Sequence, residues 1–255
     1  MKNIINITVL FALMVLLQSL ITRHDVADDK FVQLARQYPQ VCHLPMGEAA
    51  LIDSCWALTA GHVGNDLQQD IKNGYAPALV CNGIKYPIEK VVLHPAFKTM
   101  EQGLQNDIAL IRIKGAVKGM HPAKVYEKQD EAGQEITIVG MGDMGTGLTG
   151  PQKWDKVTRA ATNKIEGADN QWLSFVFDSV GAVNVTPMEG ISGPGDSGGP
   201  AFIDKDGVRY IVGISSHQSG QAKFGKGRYG VTEYYARISS YSAWIKETIG
   251  EGKKK

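Results

Sequence analysis

Beyond about residue 40 the apolar positions come in short bursts rich in Val and Ile, divided by turn residues. The stretches "ALIDSCWALTA", "APALVCNG", "IEKVVLH", "DIALIRI", "QEITIVGMG", "LSFVFD", "GPAFI" and "RYIVGISS" follow one another in this way. Their length and spacing predict an all-β sandwich or barrel. The period changes in two places. Tyr241, Trp244, Ile245 and Ile249 fall at i, i+3, i+4 and i+8, which predicts a short terminal helix with one apolar face. "DDKFVQLARQYP", stopped by Pro39, predicts another helix ahead of the first strands. Lys114 to Gln134 is polar and almost free of strand patterning. It reads as the join between two β units of similar size, 21–123 and 124–249, followed by a frayed tail at 250–255.

The first residues follow another logic. Lys2 precedes the apolar run "IINITVLFALMVLL", the length of a signal-peptide core and short for a membrane span. Residues 1–20 are therefore expected to direct export, to a secreted or periplasmic location. The best cleavage point is after Ser19, although no small-x-small pair marks it. An uncleaved anchor through Ile21 is the alternative, and would be the only membrane contact.

A chain of 255 residues with 43% hydrophobic content can bury one large core or two small ones. Acids and bases are interspersed and the net charge is +1, so no face is marked for nucleic acid. A monomer is expected. Cys42, Cys55 and Cys81 are too few for a disulfide framework and lack zinc spacing. After export two could pair, with the choice of pair open; three small buried thiols are the alternative.

The segment "GPGDSGGP", Gly193 to Pro200, cannot be a strand or helix interior. A serine held in such a backbone makes chemical sense as a nucleophile, which needs a base within reach and donors for the oxyanion. Gly195 can turn its N–H toward the same point as that of Ser197, and Gly198 and Gly199 permit close approach. Taken alone, the segment is also an ordinary Gly/Pro turn. His62 in "WALTAGHVG" stands where an apolar strand runs out into small residues, and Asp107 in "QNDIALIRI" stands at the threshold of a buried strand. There a carboxylate is costly unless it accepts hydrogen bonds.

"LTAGH", "NDIALI" and "GDSGGP", in that order, with "VVLHP" and "VGISS", resemble the chymotrypsin and trypsin superfamily of serine peptidases, especially exported bacterial members with few disulfides. The likeness runs from about Ile21 to Ile249. It implies two six-stranded antiparallel Greek-key β-barrels, a cleft between them and a short C-terminal helix. It also implies a serine endopeptidase acting on polypeptide through an acyl-enzyme intermediate, with no cofactor. Ser197 would be the nucleophile, His62 the general base and acid, and Asp107 the group orienting His62. The N–H groups of Gly195 and Ser197 would form the oxyanion hole, and Ser216 would support Asp107 and meet substrate. Asp196 would receive a liberated N-terminal amine.

Departures from the family pattern refine these expectations. Val63, Gly47 and Gly193 stand where half-cystines are common, and no Arg or Lys before "IVGG" marks a zymogen cleavage site. Signal processing between Ser19 and Thr22 would then itself expose the amine for Asp196. Ile191 occupies the pocket-floor position, so a preference for Arg or Lys is not expected. His217 and Gln218 replace the usual "WG" of the pocket wall, narrowing it or making it polar; recognition of an acid by His217 is an alternative. "NDLQQDIKNGY" is a poor match to the family's calcium loop. The competing function is a catalytically inactive binding protein on the same scaffold.

Overall fold

The computed structural model describes residues 20–252, so the proposed signal segment lies outside the described residues except for Leu20. Six strands close into a barrel: Val41–Leu44, Gly47–Asp53, Trp56–Thr59, Ala109–Ile113, Ile84–Leu93 and Ala78–Cys81, in that spatial order. Closure rests on one register pair, His43 opposite Val80. Beside it the Cys42–Cys81 disulfide clamps the same two strands, leaving Cys55 free. Leu51, Leu58, Leu79, Leu110 and Ile111 of these strands have no exposed surface, which is why their apolar runs read as strands.

The second unit curls without closing. Its strands run Arg159–Lys164, Glu135–Gly140, Pro200–Lys205, Val208–Ser219, Thr232–Arg237 and Trp172–Val176, with Gly167–Ala168 paired beyond. A side chain crosses the seam between the outer strands: Asn163 Nδ2 donates to the carbonyls of Val176 and Gly190, both at 3.0 Å. A separate four-stranded sheet orders Gly150–Trp154, Asp143–Thr146, Ile21–Thr22 and Gly190–Ile191. The architecture is the expected mostly-β pair, one member a closed barrel and the other a half-barrel.

The chain ends are exchanged between the two units. The early helix Asp28–Ala35 packs on the second one, with Phe31 sealed in its core. There the buried Arg159 guanidinium meets Asp28 at 2.6 Å and Asp155 at 3.0 Å. Residues 21–35 thus serve the second unit although they precede the first in sequence. The terminal helix, Ile238–Gly252, returns Tyr241 and Ile245 to the cluster containing Leu51 and Leu58. The polar join is pinned as well. Lys124–Val125 pairs in parallel with Tyr210–Ile211, and Glu131, fully buried, accepts from Arg237 at 2.6 Å and Ser239 at 2.5 Å.

Candidate active site

His62 does not end a strand. The strand Trp56–Thr59 stops, and His62 is the second residue of a helix, Gly61–Lys72, absent from the sequence expectation. Val63 and Leu67 bury one face of that helix. The backbone N–H of His62 donates to Asp107 Oδ1 at 2.7 Å, and its ring Nδ1 lies 2.9 Å from Oδ2. Asp107 has no exposed surface, while the His62 side chain, tied to it through Nδ1, is 33% exposed. Ser216 Oγ donates to the same Oδ2 at 2.5 Å. Burial opposes ionisation of Asp107, but these donors, His62 first, outweigh it and hold the carboxyl below its usual range. Burial likewise opposes a charged imidazole; the hydrogen bond and charge of Asp107 prevail, and His62 lies above its ordinary value.

The serine loop is tied to both units. Ser197 O accepts from Glu48 N–H at 2.8 Å, and Gly198 N–H donates to Ser215 O at 3.0 Å. A Cβ on Gly198, whose φ is +81°, would lie 2.2 Å from Thr59 Oγ1, so the loop sits against the residues that precede His62. The Ser197 hydroxyl and the His62 Nε2 have no hydrogen-bond partner among the described residues. Pro194 O accepts from Asp143 N–H at 2.6 Å. Because a trans peptide sets its carbonyl and N–H in opposite directions, the N–H of Gly195 points away from Asp143. Gly195 itself is exposed at φ +98°, and neither it nor Ser197 donates its N–H within the described residues.

Asp196 is turned inward. Its oxygens take the N–H groups of Gly142 at 2.6 Å and Gly193 at 2.7 Å. Burial, with the nearby Glu48 carboxylate, pushes it up to about 8. Glu48, equally buried, accepts from the adjacent Met141 N–H at 3.1 Å and meets His43 Nδ1 at 2.6 Å. Leu20 and Ile21 are sealed in the same region, where Gly145 N–H donates to Leu20 O at 3.2 Å.

The pocket candidates are brought together unevenly. Ile191 is fully buried in the second core, its strand paired with Ile21–Thr22, and presents no surface to a ligand. The His217 ring stacks on Tyr234 at 4.7 Å and meets the edge of Trp172 at 4.9 Å, and burial holds it below its ordinary pKa. Gln218 reaches back to donate to Ser192 O at 2.7 Å and Glu233 Oε2 at 2.8 Å. Glu233 and Glu48 are two buried acids around the serine loop that the sequence reading leaves out. Each lies within a strand, where an acid ordinarily marks the solvent face, and only its distant partners reveal otherwise.

The chain matches the family described as Trypsin over residues 31–245. It is 27% identical over 239 residues to the complement C1s subcomponent of Bos taurus, covering 81% of this chain and 33% of that protein. The urokinase-type plasminogen activator of Gallus gallus is 28% identical over 226 residues, covering 77% and 49%. The CLIP domain-containing serine protease B4 of Anopheles gambiae is 28% identical over 181 residues, covering 65% and 47%. The chain thus spans between a third and about half the length of these relatives. With the family matched from the early helix to the terminal one, around a buried acid shared by a histidine and a serine, this chain belongs to the trypsin family of serine proteases.

Proposed function

We propose that this protein is an exported serine endopeptidase in which Ser197, His62 and Asp107 carry the chemistry. His62 Nε2 takes the proton of the Ser197 hydroxyl as its Oγ attacks a peptide carbonyl. The N–H groups of Gly195 and Ser197 receive the oxyanion, and Asp107 stabilises the imidazolium that forms. His62 then protonates the leaving amine, and water reverses the sequence to release the acyl group and restore Ser197. No step needs a cofactor. The observation that carries this reading is the convergence of His62 and Ser216 on one buried carboxylate. Gly195 N–H, turned away from Asp143, is a donor with no acceptor among the described residues. Hydroxyl–imidazole hydrogen bonds are often loose without substrate, so the unpaired Ser197 Oγ fits a resting enzyme.

The same reading includes activation and location. Asp196 and Glu48 bring two carboxylates to consecutive peptide N–H groups, and of the two only Glu48 is hydrogen-bonded to His43. An amine freed by cleavage after Ser19 would supply the cation that Asp196 lacks, consistent with the burial of Leu20. Leu20 also holds a left-handed φ of 60°, costly for a residue linked to a preceding peptide. Residues 1–20 would direct export, and no helix among the described residues is long and apolar enough to cross a membrane. The substrate is polypeptide, with no preference for Arg or Lys, and the enzyme acts as a monomer. Labelling by a fluorophosphonate, lost in Ser197→Ala, together with cleavage of a peptide library, tests the assignment. A correctly folded protein that is neither labelled nor active would be a binding module on a protease scaffold.

A further inference from the structure

One residue of the first unit holds both sides of the serine loop. Glu48 lies opposite His43 in the hairpin of Val41–Leu44 and Gly47–Asp53, and it is buried. Its backbone N–H donates to Ser197 O at 2.8 Å, and its own carbonyl accepts from Thr59 Oγ1 at 2.7 Å. Its carboxylate reaches into the second unit. Oε1 accepts from Met141 N–H at 3.1 Å, while Oε2 lies 2.6 Å from His43 Nδ1. Met141 begins a run of three N–H groups that are all engaged. Gly142 N–H donates to Asp196 Oδ1 at 2.6 Å, and Asp143 N–H to Pro194 O at 2.6 Å. Gly142 sits so close to the serine loop that a Cβ there would lie 2.6 Å from Pro194 O and 2.8 Å from Asp196 N. Residues 141–143 are thus the mould on which the Pro194–Gly195 peptide is shaped. Glu48, Met141, Gly142 and Gly195 also line one cavity of about 380 Å³.

We propose that the Glu48 side chain is a positioning residue for the oxyanion hole, holding Met141 so that residues 141–143 keep the Gly195 N–H aimed at the developing charge. The inference rests on the hydrolytic reading above and adds a residue outside the triad. Donors stabilise an oxyanion strongly only when they are set before the charge appears. Gly47 and Gly193 leave this region without a covalent tie of its own, and the Cys42–Cys81 bridge lies one residue before His43. The bridged strand therefore supports His43, His43 supports Glu48, and Glu48 supports Met141. Asp196 does not substitute, since its two oxygens are engaged by Gly142 and Gly193. The role needs reach more than charge. An aspartate at this position is one methylene shorter and leaves Met141 N–H without its acceptor. A glutamine keeps an oxygen for Met141 and offers an N–H to neutral His43.

The test uses the full chain as secreted, with active molecules counted by fluorophosphonate. The probes are a peptide amide that the wild type cleaves and a peptide aldehyde of the same sequence, whose adduct with Ser197 puts an oxyanion in the hole. At pH 8, Glu48→Asp should lower kcat at least about tenfold with KM within about threefold, and should weaken the aldehyde by a matching factor. Glu48→Gln should be at least about threefold more active than Glu48→Asp. Glu48→Ala should behave as Glu48→Asp does, and decides in its place if the aspartate variant does not fold. A merely structural role would leave the aldehyde affinity of the folded, counted molecules unchanged. A loss of kcat smaller than tenfold overturns the proposal. So does a loss without weaker aldehyde binding, or a glutamine variant no better than the aspartate one. A wild type that neither takes the fluorophosphonate nor cleaves peptide marks the different failure, that of the hydrolytic assignment itself.

Discussion

His62 and Ser216 compete for the same oxygen of Asp107, at 2.9 and 2.5 Å, while His62 N–H occupies the other oxygen at 2.7 Å. This acceptor-only group fixes the tautomer that leaves His62 Nε2 free to take a proton. An amide in its place can donate as well as accept, and favours the opposite tautomer. Asp107→Asn is therefore expected to lower kcat by roughly 10⁴-fold. Because unprotonated His62 is the working form, activity rises with pH through its pKa, which lies above the ordinary 6.5. The acid limb of wild-type kcat/KM should thus fall above pH 6.5, and loss of the carboxylate should move any residual limb downward. A limb that stays in place would mean that Asp107 does not act through the ring.

The amine proposed to meet Asp196 makes the start of the mature chain measurable. N-terminal sequencing of secreted, active protein should find Leu20. Asp196→Asn removes the charge that an amine would seek while retaining an acceptor, so it should lower kcat by about 10²-fold or more as the oxyanion loop loosens. A mature start well beyond Arg23 would exclude this arrangement, since Ile21 and Thr22 form a strand of the neighbouring sheet.

Much of this architecture is legible along the chain, and the failures share a cause. The strands built on Leu, Ile and Val announce themselves because water must leave both sides of a packed barrel. Arg159–Lys164, "RAATNK", does not, although five of its six positions are buried. Its charge is matched by Asp28 and Asp155, and Asn163 bridges the open seam, partners that only folding reveals. The helix after His62 is hidden by Gly61 and Gly64 and by a largely polar face. The triad candidates are readable because their flanking motifs resemble a family. Glu233 has no such flag, since "TEYYAR" carries no motif and no regular apolar alternation, although four of its six positions are buried.

The pairing of Cys42 with Cys81 illustrates the same limit, because either cysteine could have paired with Cys55 until the barrel closed. The bridge joins residues 39 apart, and a loop of that size contributes about 4 kcal/mol in the chain-entropy account. Cys42→Ala/Cys81→Ala should lose stability of that order in urea unfolding. The Cys55→Ala variant should change little, because Cys55 is half-buried and unbridged. A double variant within about 1 kcal/mol of wild type would show that strand pairing alone holds the seam shut.

Glu233 ties a buried polar network beside the serine loop to stability. Burial pushes its carboxyl up to about 8 in the folded protein, against an ordinary value of 4.5. Below pH 4.5 the group is neutral whether the chain is folded or not, and its neutral form fits the folded state. As pH rises from 4.5 toward 8 only the unfolded chain ionises freely, so this contribution to stability is progressively lost; above about 8 the folded form ionises too and the loss levels off. Glu233→Gln stays neutral throughout and can still accept from Gln218. Its melting temperature relative to wild type should therefore rise steadily between pH 4.5 and 8. Glu189, also raised, is present in both proteins and cancels in the difference, whereas Asp196 is one of the charges that raise Glu233 and shares in its effect. Parallel melting curves across that range would mean that Glu233 is already ionised in the fold, and that the Gln218 amide donates to a charged group.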